Sequence, residues 1–168
     1  MKKDINIIGI SCYYHDSAAA LIQNGIVLSA IQEERLSRIK HDSSFPINSI
    51  KEILTINKLN LSDIDHIVFY EKPFVKFERL MDTYVSFAPR GIKSYLKSMP
   101  LWISEKLFQK KNMINQLNSI EKIKNIEKKI KFSEHHLSHA ASTFYPSPFK
   151  DALILTIDGV GEKVTTSV

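Results

Sequence analysis

The chain has 168 residues, 43% of them hydrophobic, and a formal net charge of +5, enough apolar content for one ordinary globular domain and too little chain for two full ones. A single cysteine excludes an intramolecular disulfide, no run of about 18 apolar residues is present to span a bilayer, and Asp4 and Asn6 interrupt the apolar N-terminus where a secretory signal would need continuity. The expected setting is the reducing cytoplasm, away from membranes. The basic charge is local: residues 71–131 hold 14 Lys/Arg against 6 Asp/Glu, and the remainder holds 9 against 12. Without Gly/Arg-rich or aromatic-stacking patterning, that segment reads as a solvated helical face, and nucleic acid is not an expected partner.

In chain order, "INIIGISC" is a compact β-rich run, and "SAAALIQNGIVLSAIQEE" places Asn24-Gly25 between two apolar segments, the strongest short signal for a type I′ hairpin. Three strands therefore open the chain. In "SFPINSIKEILTINKLN", Pro46 stands at a helix start, and Ile47, Ile50, Ile53 and Leu54 fall on one face at helical spacing, with Asn57 a turn further on. "DHIVFYE" follows as a buried strand. The order β-β-β-α-β predicts an α/β fold in which a mixed sheet has a hairpin meander first and a helical crossover second.

Residues 72–129 change character to a helical insertion, divided by Pro73, Pro89 and Pro100. Its last part, "NMINQLNSIEKIKNIEKKI", aligns Ile114, Leu117, Ile120, Ile123, Ile126 and Ile130 as the stripe of one core-facing helix. The sheet then resumes: "KIKF" as a short strand, "SEHHLSHAASTFY" as a helix stopped by Pro146, "DALILTID" as an apolar strand, and "EKVTTSV" as another after the Gly159-Val160-Gly161 turn.

The residues that carry chemistry sit at the junctions of these elements. Ser133 is a natural N-cap, so the helix is expected to begin at Glu134, with His135 and His139 one turn apart on one face and His136 off it. Two imidazoles so placed suit one metal ion, and the nearby helix N-terminus favours their neutral, ligand-competent forms. Helix-start histidines also serve as plain hydrogen-bonding groups, and the zinc-protease motif is excluded because His136 stands where its Glu belongs. Asp158 closes an apolar strand before a glycine turn and is either the third ligand or a turn-stabilising acid. The tight turn with Gly159 and Gly161 has backbone N–H groups that can face a phosphate, as many ligand-free hairpins also do. In "YYHDSAAA", His15 reads as a general base or as a structural turn residue, and Asp16 either orients it or caps the turn. "EERLSRIKHD" gathers two carboxylates with Arg35, Arg38, Lys40 and His41, as an anion site or as a surface ion-pair network.

Together "IIGISCYYHDSAAALIQNG", "IQEERLSRIKHDSSFP", "EHHLSHAASTFYPSPF" and "LILTIDGVGE", in this order and spacing, resemble the O-carbamoyltransferases of the nodulation and antibiotic-tailoring type. The resemblance implies a ribonuclease H-like/actin-like ATPase half-domain, truncated, with residues 1–150 as a first subdomain and 151–168 as the first hairpin of a second. It implies transfer of a carbamoyl group from carbamoyl adenylate to a hydroxyl acceptor, a small molecule or sugar. The adenylate would come from carbamoyl phosphate and ATP in a C-terminal module, so this stretch alone is expected to be inactive and prone to association. Carried over by motif, His135, His139 and Asp158 would hold a divalent metal, iron in the family. His15 would be catalytic, Asp16 would contact substrate, and Lys40 with Gly159 and Gly161 would meet the nucleotide and its phosphate. The alternatives are a transferase of the tRNA threonylcarbamoyl type, which shares the H-x-x-x-H pair, and a non-catalytic metal-binding remnant.

Overall fold

The structure is a computed structural model that describes residues 4–102, 108–159 and 161–168. By its internal contacts the chain forms two compact units, Met1–Tyr70 with Lys111–Phe132, and Glu71–Lys110 with Ser133–Val168. Among the described residues no helix is long and apolar enough to cross a membrane.

The first unit is an α/β layer built on a five-stranded mixed sheet. Strands β1 (Asn6–Ser11), β2 (Ala18–Gln23) and β3 (Ile26–Gln32) form the antiparallel meander, followed by a short helix α1 (Glu34–Ser37), helix α2 (Ile47–Ile56) and strand β4 (His66–Phe69). The β1 to β4 pairing is parallel, as is that of β4 with β5 (Ile130–Phe132), giving the order β3-β2-β1-β4-β5. The Asn24-Gly25 turn is where the sequence places it, both residues at positive φ (52° and 87°) as a two-residue I′ loop requires.

Alternation decides which face of the sheet is covered. Ile8 and Ile10 on β1, Ala19 and Leu21 on β2, and Ile67 and Phe69 on β4 are buried, against Ile50, Ile53 and Leu54 of α2. Each fully buried Ile or Leu contributes about 1.5–3 kcal/mol relative to exposure. Asn6, the buried polar residue of β1, is satisfied: Gln23 Nε2 donates to its Oδ1 (3.0 Å), and its own Nδ2 donates to the Asp63 carbonyl (3.1 Å).

Helix α5 (Gln109–Ile120) brings Met113 and Leu117 into this core, but it does not run on through the isoleucine stripe. The expected single helix breaks after Ile120: Asn125 takes a left-handed conformation (φ 60°), Ile126–Lys128 is a 3₁₀ turn, and Ile130 joins the sheet opposite Ile67. Spacing alone does not separate a continuous stripe from three pieces that bury their isoleucines in one core.

In the second unit, α3 (Pro73–Phe87) starts with Pro73 in its first turn, and α4 (Ile92–Trp102) stacks Tyr95 on Tyr84 with ring centroids 3.9 Å apart. Helix α6 is His135–Phe144, one residue shorter at its start than expected. Its N-cap is Glu134, not Ser133, because the His135 N–H is taken by the distant Glu162 carboxylate (3.1 Å) and not by the Ser133 hydroxyl. The two terminal strands are also shorter than expected. Only β6 (Thr156–Ile157) and β7 (Thr166–Ser167) pair, antiparallel, with Asp158 N–H donating to the Thr165 carbonyl (2.7 Å). A ladder extends only as far as backbone partners lie alongside, and among the described residues none flanks the rest of "DALILTID", where Leu153 and Leu155 are exposed.

Candidate metal and acid–base sites

Helix α6 and strand β6 bring three candidate ligands together. His135 Nε2 lies 3.1 Å from His139 Nε2 and 2.5 Å from Asp158 Oδ2, and His139 Nε2 lies 3.9 Å from the same oxygen. The helical i, i+4 spacing places the two rings edge to face, centroids 4.6 Å apart, and Asp158 enters from the end of β6. Two nitrogens and one carboxylate oxygen directed at one point are mutually repulsive unless a proton or a cation lies among them. Donors each about 2.1 Å from an ion stand roughly 3–3.4 Å apart; the two imidazole nitrogens already have that spacing, whereas Asp158 Oδ2 sits at ion-pair distance from His135 and beyond that spacing from His139, so the donor set fits a divalent metal in chemistry and proximity, with the Asp158 carboxylate having to shift to join it. The group is graded in access: His135 and Asp158 side chains are 14% and 25% exposed, His139 is 54% exposed.

His136 faces elsewhere. Its Nδ1 is 2.7 Å from Ser167 Oγ and 3.1 Å from Thr156 Oγ1, which ties α6 to the β6–β7 hairpin.

Two acids that the sequence does not single out support the trio. Glu162 is buried and accepts from two backbone N–H groups, those of Lys72 and His135, thereby joining the starts of α3 and α6. Glu71 is 1% exposed, paired with Lys76 Nζ (2.6 Å), and its Oε2 faces His135 Nδ1 at 3.9 Å. Gly161 stands at φ +59°, and a Cβ there would lie 2.1 Å from the Val164 carbonyl oxygen, so only glycine fits this turn. Its own carbonyl accepts from Arg79 Nη1 (3.2 Å), while Gly159 is exposed and has open space around it.

A second cluster belongs to the first unit. The loop between β1 and β2 is tied to the loop before α2 by Tyr13 N–H to the Ser43 carbonyl and Ser17 N–H to the Asp42 carbonyl, both 2.8 Å. Asp16 then bridges two imidazoles, His15 Nδ1 at 2.8 Å and His41 Nδ1 at 2.9 Å, and His41 N–H donates to Glu34 Oε2 (3.1 Å). An ionised carboxylate only accepts, so each Nδ1 carries its proton, and the exposed His15 presents Nε2 with a free lone pair, the form a general base needs. The hydrogen bond from His41, then that from His15, holds the Asp16 carboxyl below the usual carboxylate range; the same bond raises His41. Asp16, Glu34 and His41 also satisfy the spacing of a cation group. Tyr13, Asp16, Arg38 and His41 all have positive φ, backbone conformations that cost energy in non-glycine residues. Lys40 is exposed in the turn beside His41.

The "EERLSRIKHD" stretch thus divides. Glu34 joins this cluster, whereas Glu33 is buried and takes four hydrogen bonds from Asn48 and Ser49 at the start of α2. Glu33 is a helix cap and part of neither an anion site nor a surface ion-pair network.

A family model described as the carbamoyltransferase N-terminus matches residues 6–168. An uncharacterized protein of Synechocystis, sll1178, is 50% identical over 97% of this chain and 27% of its own length. The nodulation protein NolNO of Sinorhizobium fredii is 38% identical over 89% of this chain and 20% of its own length. An uncharacterized protein of Methanocaldococcus jannaschii, MJ1058, is 28% identical over 94% and 31% respectively. The chain therefore spans about a fifth to a third of these relatives.

Proposed function

Because the chain belongs to the carbamoyltransferase N-terminal family, we propose that it carries the metal-holding and acceptor-activating residues of an O-carbamoyl transfer. The donor in this reading is carbamoyl adenylate, made from carbamoyl phosphate and ATP by a C-terminal module, and the acceptor is a hydroxyl of a small molecule or sugar. The observation that carries the reading is the convergence of His135 Nε2, His139 Nε2 and Asp158 Oδ2 from two separate motifs. The meander-then-crossover order β3-β2-β1-β4-β5 supports the finer assignment to the ribonuclease H-like/actin-like class.

His135, His139 and Asp158 would hold the divalent metal, iron in this proposal, which supplies Lewis-acid polarisation when bound. His15 does the proton work. As the acceptor oxygen bonds to the carbamoyl carbon, the carbon–oxygen bond to the adenylate phosphate breaks, AMP leaves with the electron pair, and His15 Nε2 takes the hydroxyl proton. Asp16 holds His15 in the required tautomer and stabilises the imidazolium that forms. Lys40 in the first unit is assigned to the nucleotide, and, separately, the backbone around Gly159 and Gly161 in the second unit is assigned to phosphate.

The test is His15→Ala in a carbamoyltransferase carrying this chain as its N-terminus, assayed with carbamoyl phosphate, ATP and a hydroxyl acceptor. Transfer should slow by about 10²- to 10⁴-fold while pyrophosphate release, which reports adenylate formation, continues. A parallel loss of both would remove His15 from this role, and an unmutated enzyme that transfers nothing from these substrates would overturn the function.

A further inference from the structure

We propose that Glu71 is a positioning carboxylate for His135, holding the imidazole proton on Nδ1 so that Nε2 keeps its lone pair toward the point shared with His139 and Asp158. This rests on the metal reading of that trio. Glu71 follows β4 and precedes α3, and its side chain is 2% exposed. An ionised carboxylate costs several kcal/mol to bury unless charges or hydrogen bonds offset it. Lys76, from the first turns of α3, provides one partner at 2.6 Å. An ion pair alone does not require burial, since a lysine and a glutamate pair as readily at the surface. What burial adds is a low-dielectric line from Glu71 Oε2 to His135 Nδ1, 3.9 Å away, with the ring itself only 14% exposed.

The separation is longer than a hydrogen bond, so the effect is electrostatic orientation. A negative charge on the Nδ1 side favours a proton there and works against Asp158, whose Oδ2 draws a proton to Nε2 as long as no cation lies between them. His135 presents Nε2 to His139 and Asp158, and a ligating nitrogen must be unprotonated. Among the described residues no acid lies comparably against His139 Nδ1. The asymmetry makes the proposal specific: Glu71 acts through His135 and not through His139.

The experiment uses the whole chain and zinc, a redox-inert probe of a two-nitrogen, one-oxygen donor set, in competition with a chromophoric chelator. Glu71→Gln keeps shape and removes charge; it should weaken zinc binding by about 10- to 100-fold. Combined with His135→Ala it should weaken binding no further, whereas combined with His139→Ala its effect should persist. Thermal unfolding of each variant accompanies the titrations. If the unmutated chain binds no zinc, the metal reading fails and this inference with it. If it binds zinc through His135 and Glu71→Gln binds equally well, Glu71 alone is overturned. An equal effect of Glu71→Gln in the His135→Ala background would show a general structural role and also overturn it.

Discussion

Glu33→Ala should be one of the costlier single changes in the first unit. The Glu33 carboxylate, 1% exposed, accepts from Asn48 N–H (3.1 Å), Asn48 Nδ2 (2.8 Å), Ser49 N–H (2.8 Å) and Ser49 Oγ (2.6 Å). The two side-chain donors can turn to other partners, but the two backbone donors lie in the first turn of α2, where no carbonyl of the helix can reach them. Leaving a buried donor unmade costs about 1–3 kcal/mol; the upper end for the buried Ser49 N–H and the lower end for the part-buried Asn48 N–H give roughly 4 kcal/mol for the two. Relief of the buried charge returns part of that, so about 3 kcal/mol is the expected net loss, a large share of a total stability of about 5–15 kcal/mol. Urea unfolding followed by far-ultraviolet circular dichroism reads it: with a slope of about 1–3 kcal/mol per molar urea, the midpoint should fall by roughly 1.5 M. Glu33→Gln retains one good acceptor and should lose about half as much. An alanine variant within about 0.5 kcal/mol of the parent would refute the capping argument, as would a glutamine variant less stable than the alanine one.

The Asp16–His41 contact sets a pH window. Its hydrogen bond raises His41 above the ordinary 6.5 and lowers Asp16 below 3.8. The His41 contribution is complete below its unfolded value and disappears as pH rises through the folded one. The Asp16 contribution is present above its unfolded value and disappears as pH falls through the folded one, so the contact is strongest between about pH 4 and 6.5. An NMR titration should find His41 above 6.5 and returning toward it in Asp16→Asn; no change in that variant would contradict the assignment. Gly161→Ala should cost at least about 1–2 kcal/mol for the left-handed backbone and also displace the Val164 carbonyl, loosening the adjacent Glu162 and with it the start of α6. Thermal unfolding and zinc titration check this, and an alanine variant matching the parent in both would refute it.

What could be read from the residues was what depends on near neighbours. Asn24-Gly25 dictates its turn, Pro46 marks the start of α2, and the i, i+4 relation of His135 and His139 survives the one-residue shift of the helix start. Asp158 was legible as an acid closing an apolar run before glycine. Glu33, Glu71 and Glu162 were not, because nothing local marks an acid for burial. Glu33 meets Ser49 at a separation of 16 residues, and Glu162 meets Lys72 at 90. The same limit explains the isoleucine stripe, which shares one core without sharing one helix, and the terminal strands, whose apolar residues specify extended chain without specifying a partner. A resemblance by motif named the trio and His15 at once, but the bridge from Asp16 to His41 emerged only from the folded loops.

The central claim is that one face of α6, with Asp158, holds a divalent metal ion. Equilibrium metal content of the chain and of its His139→Ala and His136→Ala variants tests it most directly. The account predicts one ion in the parent, weakly held and readily removed by a chelator because three ligands do not close its shell, much weaker binding in His139→Ala, and retention in His136→Ala, whose ring is engaged with Ser167 and Thr156. Equal loss at both histidines, or a parent chain that holds no ion, would contradict it.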